Sequence, residues 1–513
     1  MKSTTQPTPS SDIAAIVGSS SQSLSGANAL IVDLNNFSTF PTLAVGLLVA
    51  SLRNAGYNAE VLSPLAHDVP AAEREKKENI IDHYKRKLHL SNQTGLLWIR
   101  DNARALRNYW ISHPHPRVIQ ETERALDSQP DIILLSAYLQ HYRSVVELGR
   151  LAKKRGIPLL LGGPVFNLQK TAEAWLSVPG LTAVVGGEVD LSLPAIVKAT
   201  IEGEDLLQFN GVMLPDGRRS PPAAPLRDLD SVPVPDFTDF PWDRYRVRII
   251  PIMAGRGCQW AECVFCSDVY SASGRMFRPR SVELVLHEME EQARRHQTSN
   301  FLFLDLKLNS YPALWRGIIE GVQRRIPGAQ WIGTIHVDTR KDNGLQSKDL
   351  RAAVASGMRR VSFGLETGSQ RLLDAMKKGA SVEENSRFIR DAHAAGLSIR
   401  CTMFRGFPGE TANDLELTAD FLQQHAEQID RVRFNDLSIH EGTPMYDEMM
   451  ADTNLYPEIK ISRHDTINSR LLYKEVTPPT KAYQQALSKT LAVVYAINKK
   501  PIRSAARAFD GLM

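Results

Sequence analysis

Three of the four cysteines of this 513-residue chain lie within nine positions, in the segment GRGCQWAECVFCSDVY. Thiolates gathered this tightly usually bind a metal, because cysteine is a soft ligand that loses its proton on a metal. Cys258, Cys263 and Cys266 make three ligands and leave a fourth coordination position open. A structural zinc site needs four protein ligands, and no CxxC or HxxxH pair follows downstream. The pattern favours an iron–sulfur cluster with one iron free to hold a small molecule, over a structural metal site or unrelated thiols.

The composition is that of an ordinary globular protein of two or three domains, with 43% apolar and 23% charged residues. The net charge of +4 is too balanced to indicate a nucleic-acid or membrane surface. No run of about 18 apolar residues predicts a transmembrane helix. The polar residues 1–26 are predicted to be a disordered lead-in. Clustered cysteines without a disulfide pattern favour the cytoplasm.

Residues 27–215 alternate short apolar runs with amphipathic stretches, which predicts an α/β domain with a doubly wound parallel sheet. The strands are predicted at 29–34, 59–64, 131–138, 158–164 and 183–188. Gly163 and Gly187 fall at strand C-termini, where open α/β sheets bind ligands. Glycine at these positions could equally serve a tight turn.

A helical insertion is predicted at about 68–130, between the second and third strands. We expect its Trp98, Tyr109 and Trp110 to pack against the sheet, with covering a ligand as the alternative. Residues 216–244 are rich in proline and predict a semi-rigid linker between domains.

Strands and helices alternate again in residues 245–450. Six such repeats predict a partial (β/α)6 TIM-type barrel with its active site at the strand C-termini. The strands are predicted at 248–254, 300–306, 330–337, 360–365, 398–404 and 432–439. The cysteine loop directly follows the first of them. Cys401, on the fifth, is predicted to be a buried, inert thiol. Residues 451–513 are predicted to be a helical tail.

Taken together, these segments resemble the radical S-adenosylmethionine (SAM) superfamily, and the first domain resembles the cobalamin (B12)-binding module of its class B methylase branch. The resemblance covers residues 27 to about 450, in the family's order. Besides the cysteine loop and the GRMFRPRSVELVLHEME that follows it, the supporting segments are GGP (162–164), GGE (186–188), VPVPDF, FGLETGSQRLLDAMKKG (363–379) and GFPGET (406–411).

The resemblance implies that the three thiolates hold a 4Fe-4S cluster whose open iron is chelated by SAM. An electron from the cluster, supplied by an external donor of the flavodoxin or ferredoxin type, would cleave SAM to a 5′-deoxyadenosyl radical. Phe265 matches a position near the adenine, and Glu366 and Asp305 match positions that contact the nucleoside. The alternative role for these two carboxylates is a structural one at the barrel end.

Two departures from the family pattern stand out. The family's cysteine spacing is three residues and then two, whereas here it is four and then two, so the loop must absorb one extra residue. The loop DLNNFSTFPTLAVG also lacks the histidine of a DxHxxG turn, as many members of this branch do. We therefore expect cobalamin to bind with no protein imidazole on its lower face, through the loops after Leu34, Ser136, Gly163 and Gly187. The alternative is a vestigial domain.

The resemblance implies an enzyme that methylates an unactivated carbon of a natural-product or peptide substrate. A cobalamin-associated radical cyclase, oxidase or rearrangement enzyme is the first alternative. A non-catalytic iron–sulfur redox sensor or scaffold is the second. No nucleic-acid or membrane partner is expected.

Overall fold

The computed structural model describes residues 26–34, 39–71, 76–91, 93–268 and 276–512. Nearly all of the predicted lead-in, and residues 35–38 of the loop that lacks the histidine, lie outside these ranges. The described chain forms two six-stranded sheets, one after the other in sequence. Within these ranges, no helix is both long and apolar enough to cross a membrane.

The first sheet has the strand order β2-β1-β3-β4-β5-β6, with five parallel strands and an antiparallel edge strand, β6. Its strands are β1 (Asn28–Asp33), β2 (Asn58–Leu62), β3 (Ile132–Ser136), β4 (Leu159–Gly162), β5 (Leu181–Val185) and β6 (Val212–Met213). The flanking helices are α1 (Leu43–Asn54), α5 (Tyr142–Arg155), α6 (Gln169–Trp175) and α7 (Leu193–Glu202). The five predicted strands are confirmed, because a parallel sheet covered on both faces needs continuous apolar runs. The sequence analysis missed β6 and α6.

The segment between β2 and β3 is helical, with α2 (Ile80–His89), α3 (Thr94–Ser112) and α4 (Pro116–Ala125). The prediction that its aromatic residues pack against the sheet is wrong, since Trp98 is 76%, Tyr109 49% and Trp110 70% exposed. The reason is the orientation of α3. Its Arg104 donates to the His89 carbonyl and pairs with a carboxylate of the second domain, so the basic side of the helix makes these contacts.

The proline-rich segment before the second sheet lies against α1. The ring of Phe237 is fully buried there, and a Cβ on Gly46 would stand 2.3 Å from it. Arg53 of α1 also pairs with Asp236, at 2.8 Å, and with Asp239, at 2.5 Å. Aromatic packing and ion pairs therefore hold this segment on the first domain.

The second sheet is parallel, with the order β14-β13-β12-β11-β10-β7, as a partial barrel requires. Its strands are β7 (Ile250–Ile252), β10 (Asn300–Phe303), β11 (Gln330–Ile335), β12 (Met358–Glu366), β13 (Ser398–Arg405) and β14 (Arg431–Asp436). Its helices are α8 (Val282–His296), α9 (Pro312–Arg325), α10 (Ser347–Ala355), α11 (Gln370–Ala375), α12 (Val382–Ala395) and α13 (Ala412–Gln424). All six predicted strands are confirmed. Cys401 is fully buried on β13, as predicted.

The helical prediction for residues 451–513 is only partly right. After α14 (Pro444–Ala451), strands β16 (Ile459–Asp465) and β17 (Arg470–Glu475) form an antiparallel hairpin, to which β15 (Ile439–His440) adds a third strand. Most side chains of β16 are exposed or half-buried. The sequence of this strand therefore lacks the clear alternation of apolar and polar residues by which a strand is predicted. Only α15 (Lys481–Asn498) is a long helix in this region.

Candidate active site

A cavity of about 340 Å³ lies at the C-terminal ends of the barrel strands. All three clustered cysteines line it, together with Phe265 and Glu366. The structure thus brings five of the sequence-predicted site residues to one place. The position is the one expected of a barrel, because side chains at the strand C-termini converge on a common edge.

The cysteine loop is anchored at its base by Asp305. The two carboxylate oxygens accept backbone N–H bonds from Ala254, at 3.0 Å, and Gly255, at 2.7 Å. Burial raises the pKa of Asp305 to about 7, although these two bonds act in the opposite direction. Immediately after this anchor, the short strand β8 (Gly255–Arg256) pairs with β9 (Arg278–Pro279). Asp305 therefore fixes the start of the loop that carries the thiols.

The extra residue of the cysteine loop is absorbed without displacing the thiols from the cavity. Ala261 adopts a left-handed conformation, with φ of 50°. The preceding Trp260 donates its indole N–H to the Lys377 carbonyl at 2.7 Å. Its ring lies so close to Gly379 that a Cβ there would stand 2.1 Å away. Trp260 was not singled out from the sequence, and it helps to dock the longer loop onto the barrel, together with the backbone bond from Val264 to Met376.

The three cysteines that line the cavity are the kind and number of thiolate donors that a 4Fe-4S cluster with one open iron needs. In the described part of the chain, no three side chains of His, Cys, Asp or Glu converge as ligands of one metal ion. Around a 4Fe-4S cluster the sulfur atoms lie farther apart than around one ion, since each thiolate binds a different iron. Burial raises the pKa of the Cys263 thiol, while nearby Lys378 acts to lower it. The Lys378 cation thus partly offsets the burial, which disfavours the thiolate.

Glu366 reaches the cavity through a local distortion of β12. The pairing of β12 with β13 shifts register between Gly364 and Glu366, and Glu366 has a left-handed φ of 60°. Bulges next to functional sites re-aim side chains, and strain of this kind concentrates at such sites. A Cβ on Gly364 would stand 2.1 Å from the Glu366 Oε1, so glycine is needed for this approach.

Lys378, which the sequence analysis did not assign, is the partner of Glu366. Its Nζ donates to Glu366 Oε1 at 2.8 Å and lies 6.0 Å from the centre of the Phe265 ring. Burial by itself lowers the pKa of Lys378, but the Glu366 carboxylate and the thiolates of Cys263 and Cys266 outweigh it, so the pKa lies above its usual range. The cavity thus contains a buried ion pair next to the cysteines.

The two domains are joined by ion pairs beside the cysteine loop. Asp190 accepts two bonds from Arg256, at 2.7 and 2.8 Å, and Glu188 accepts two from Arg278, at 2.6 and 2.7 Å. Arg256 is also 3.3 Å from Glu188. All four side chains are at most 11% exposed. The loop after β5 is therefore fixed to one residue that precedes the cysteines, Arg256, and to one that follows them, Arg278.

The two glycines predicted to border a cobalamin site have a backbone reason to be glycine. Gly163 has φ of 150°, and a Cβ there would stand 2.1 Å from the Ala137 carbonyl oxygen. Gly187 has φ of 104°, and a Cβ there would stand 2.7 Å from the Cβ of Ala223. Their contact with cobalamin stays a prediction. The loop after β3 also carries a buried histidine, His141, whose pKa burial lowers to about 4.

Comparison with known families accounts for the cysteine loop and the cavity together. Residues 252–422, from β7 into α13, match the model of the Radical SAM superfamily. Residues 252–422 are a radical SAM domain. The resemblance inferred from the sequence is thereby confirmed, and with it the 4Fe-4S cluster and SAM, which are the cofactors of this superfamily.

Similarity to known proteins also extends beyond this domain, to the part of the chain that forms the first sheet. An uncharacterized methyltransferase of Pyrococcus horikoshii, PH0819, is 26% identical over 377 residues, 71% of this chain and 78% of the relative. Among solved structures, the cobalamin-dependent SAM radical enzyme OxsB, with aqua-cobalamin and SAM bound, has a TM-score of 0.66 at 16% identity, covering 91% of this chain and 66% of OxsB. The radical SAM methyltransferase TsrM from Kitasatospora setae, with cobalamin and a 4Fe-4S cluster bound, has a TM-score of 0.62 at 17% identity and covers 91% of both chains.

These similarities confirm the predicted fold class, a doubly wound sheet followed by a partial barrel. Identities below 20% with the two structures establish the shared fold. Further relatives are named as a magnesium-protoporphyrin ester cyclase and a methylthiotransferase. The reaction outcome therefore varies among proteins that resemble this one.

Proposed function

We propose that the chain is a cobalamin-dependent radical SAM methyltransferase that acts on an unactivated carbon of a natural-product or peptide substrate. The observation that carries the proposal is the set of buried ion pairs between the loop after β5 and the cysteine loop. A corrin held at the strand ends of the first sheet would be fixed relative to the cavity by these pairs. The cobalamin in OxsB and TsrM and the name of the Pyrococcus relative support the same reading.

In this proposal the residues of the chain hold and orient the reactants. Bound in the cavity, the cluster and SAM supply the radical chemistry, and cobalamin supplies the methyl group. Cys258, Cys263 and Cys266 ligate the cluster, and Phe265 lines the space for the adenine. Asp305 acts as a positioning residue, because both of its oxygens are engaged by the base of the loop. The electron comes from an external donor of the flavodoxin or ferredoxin type.

The proposal is tested without knowledge of the substrate. The anaerobically reconstituted protein, with cobalamin and a strong reductant, is incubated with SAM that carries a trideuterated methyl group. We expect mass spectrometry to detect protein-bound methylcobalamin with all three deuterium atoms. Release of 5′-deoxyadenosine without label in cobalamin would instead support the cyclase, oxidase or rearrangement alternative. If no SAM is cleaved under any condition, a sensor or scaffold would be the better description.

We further propose that Glu366 binds SAM. The Glu366→Gln substitution removes the charge but keeps an oxygen for Lys378, so most of the local structure should remain. Losing a charge-assisted hydrogen bond costs about 1.5–3 kcal/mol, and we expect the Kd for SAM to rise roughly ten- to a hundredfold. Equilibrium binding under anaerobic conditions measures this effect.

The matched control for Glu366 is Asp414, a carboxylate that is 2% exposed and paired with Arg371 outside the cavity. Asp414→Asn should lower the melting temperature and leave SAM affinity unchanged. If Glu366→Gln behaves like this control, with a destabilised protein and normal SAM affinity, Glu366 is only a structural partner of Lys378.

A further inference from the structure

Three charged side chains form a group beside the cysteine loop to which no role has been given. Lys307 follows the end of β10 and is 1% exposed, and Asp338 follows the end of β11 and is fully buried. The Lys307 Nζ donates to Asp338 Oδ2 at 2.6 Å. The Nε of Arg340 donates to both oxygens of the same carboxylate, each at 3.0 Å. We call Lys307, Asp338 and Arg340 the buried triad.

The buried triad carries more positive than negative charge. Among the described residues, Asp338 is the one carboxylate that pairs with either cation. The other acceptors of the Arg340 guanidinium are neutral, namely the side-chain oxygen of Gln259 and the carbonyls of Asn309 and Ser310. One negative charge thus faces two positive ones. Because buried charge is stabilised by a nearby charge of opposite sign, an anionic group is expected beside the triad.

Two observations place the buried triad next to the first of the clustered cysteines. Arg340 donates to the side chain of Gln259, which directly follows Cys258 in the loop. Lys307 also belongs to the wall of the cavity that Cys258 lines. Burial lowers the pKa of Lys307, while the Asp338 carboxylate and the Cys258 thiolate act to raise it. The anionic group that the triad faces is therefore the cysteine loop with its thiolates.

A cation beside an iron–sulfur cluster changes the free energy of its reduction. The cluster takes one electron from the external donor and becomes more negative by one charge, while no bond at the triad forms or breaks. Net charge and hydrogen bonds around a cluster are among the factors that set its reduction potential. Since buried charges are only weakly screened, a cation stabilises the reduced cluster more than the oxidised one.

We propose that the buried triad raises the reduction potential of the cluster through its excess positive charge. Lys307 and Arg340 would act on the cluster from a distance, without ligating it. The proposal deepens the proposed function and rests on its assignment of the cluster to the three cysteines. It does not depend on SAM, on cobalamin or on methyl transfer.

Three substitutions change the charge of the triad in different directions. Lys307→Met removes one cation and leaves Asp338 paired with Arg340, so that no buried charge loses its only partner. Asp338→Asn removes the anion and keeps an oxygen as acceptor for both cations. Lys307→Arg keeps the charge of the group unchanged. A disturbance of packing has no reason to follow the sign of the charge, whereas an electrostatic effect must follow it.

The experiment is a reductive titration of the anaerobically reconstituted cluster, without SAM or cobalamin, monitored by electron paramagnetic resonance of the reduced state. At the wild-type midpoint potential, we expect the ratio of reduced to oxidised cluster to fall roughly tenfold in Lys307→Met. For a one-electron couple this is a shift of about 59 mV to more negative potential. Asp338→Asn should shift the potential to more positive values, and Lys307→Arg should stay close to wild type.

The matched control is a similar group of charges at the opposite end of the barrel. Arg431, the first residue of β14, is 1% exposed and pairs with Asp510 at 2.9 Å. Arg360 approaches the same carboxylate to 4.0 Å. Arg431→Met therefore also removes a buried cation from a group of two cations and one anion. It should lower the melting temperature and leave the reduction potential of the cluster unchanged.

Several results would overturn the proposal. One is an unchanged potential in Lys307→Met, and another is a shift of the same sign in Lys307→Met and Asp338→Asn. An equal shift in Arg431→Met would show a general effect of destabilisation. If Lys307→Met takes up no cluster, Arg340→Gln replaces it, because this cation is 26% exposed, and a potential that does not become more negative refutes the proposal. A wild-type protein that binds no cluster would instead contradict the proposed function, and this proposal with it.

Discussion

Replacing any one of Cys258, Cys263 and Cys266 by Ala is expected to abolish both the broad absorbance near about 400 nm and the production of 5′-deoxyadenosine. In the proposed site each thiolate would bind a different iron, and two thiolates could not hold a cluster that keeps one iron for SAM. All three cysteines line the same cavity. A variant that lacks one of them could keep its cluster only if another residue supplied the missing ligand. The measurements are the visible spectrum after anaerobic reconstitution and chromatography of the nucleoside product.

The control for these variants is Cys401→Ala. Cys401 is fully buried on β13 and belongs to the hydrophobic core. Its substitution should leave the spectrum and SAM cleavage close to wild type, at the cost of a modest loss of stability from the small cavity created. Full cleavage activity in a variant that lacks one of the three clustered cysteines would refute the ligand assignment.

The second large effect is expected at the ion pairs between the domains. Arg256→Met leaves Asp190 and Glu188 buried with one cation fewer. Removing one partner of a buried ion pair typically costs about 3–5 kcal/mol, because the remaining charge is uncompensated. We expect a drop of several degrees in the melting temperature, together with weaker retention of cobalamin, measured by calorimetry and by the cobalamin absorbance after gel filtration.

Two further variants test whether the cost comes from the unpaired charge. Arg218→Met removes a cation paired with Asp216 on the surface, where both side chains are more than half exposed, and should change stability little. The double variant Arg256→Met with Asp190→Leu replaces a close pair by apolar side chains and should recover part of the lost stability. If the double variant loses more stability than the two single variants lose together, these ion pairs stabilise the interface beyond charge compensation.

The sequence by itself determined most elements of secondary structure and the grouping of the three cysteines proposed as cluster ligands. Continuous apolar runs identified β1 and its parallel neighbours, because strands buried on both faces need such runs. The three cysteines are close in sequence, so their common location required only that the loop follow a barrel strand. The position of Glu366 at a strand end was also predicted, and Glu366 is the last residue of β12.

The tertiary structure alone decided which side chains meet across the sequence. Arg256 and Asp190 are 66 positions apart, and Arg278 and Glu188 are 90 apart, so no local period connects them. The orientation of α3 depended on a pairing of Arg104 with Asp436, 332 positions away, which left the aromatic residues exposed. The hairpin of β16 and β17 was missed because its faces are mostly polar. The periodicity of apolar residues predicts helices and strands, whereas these contacts depend on how the helices and strands pack together.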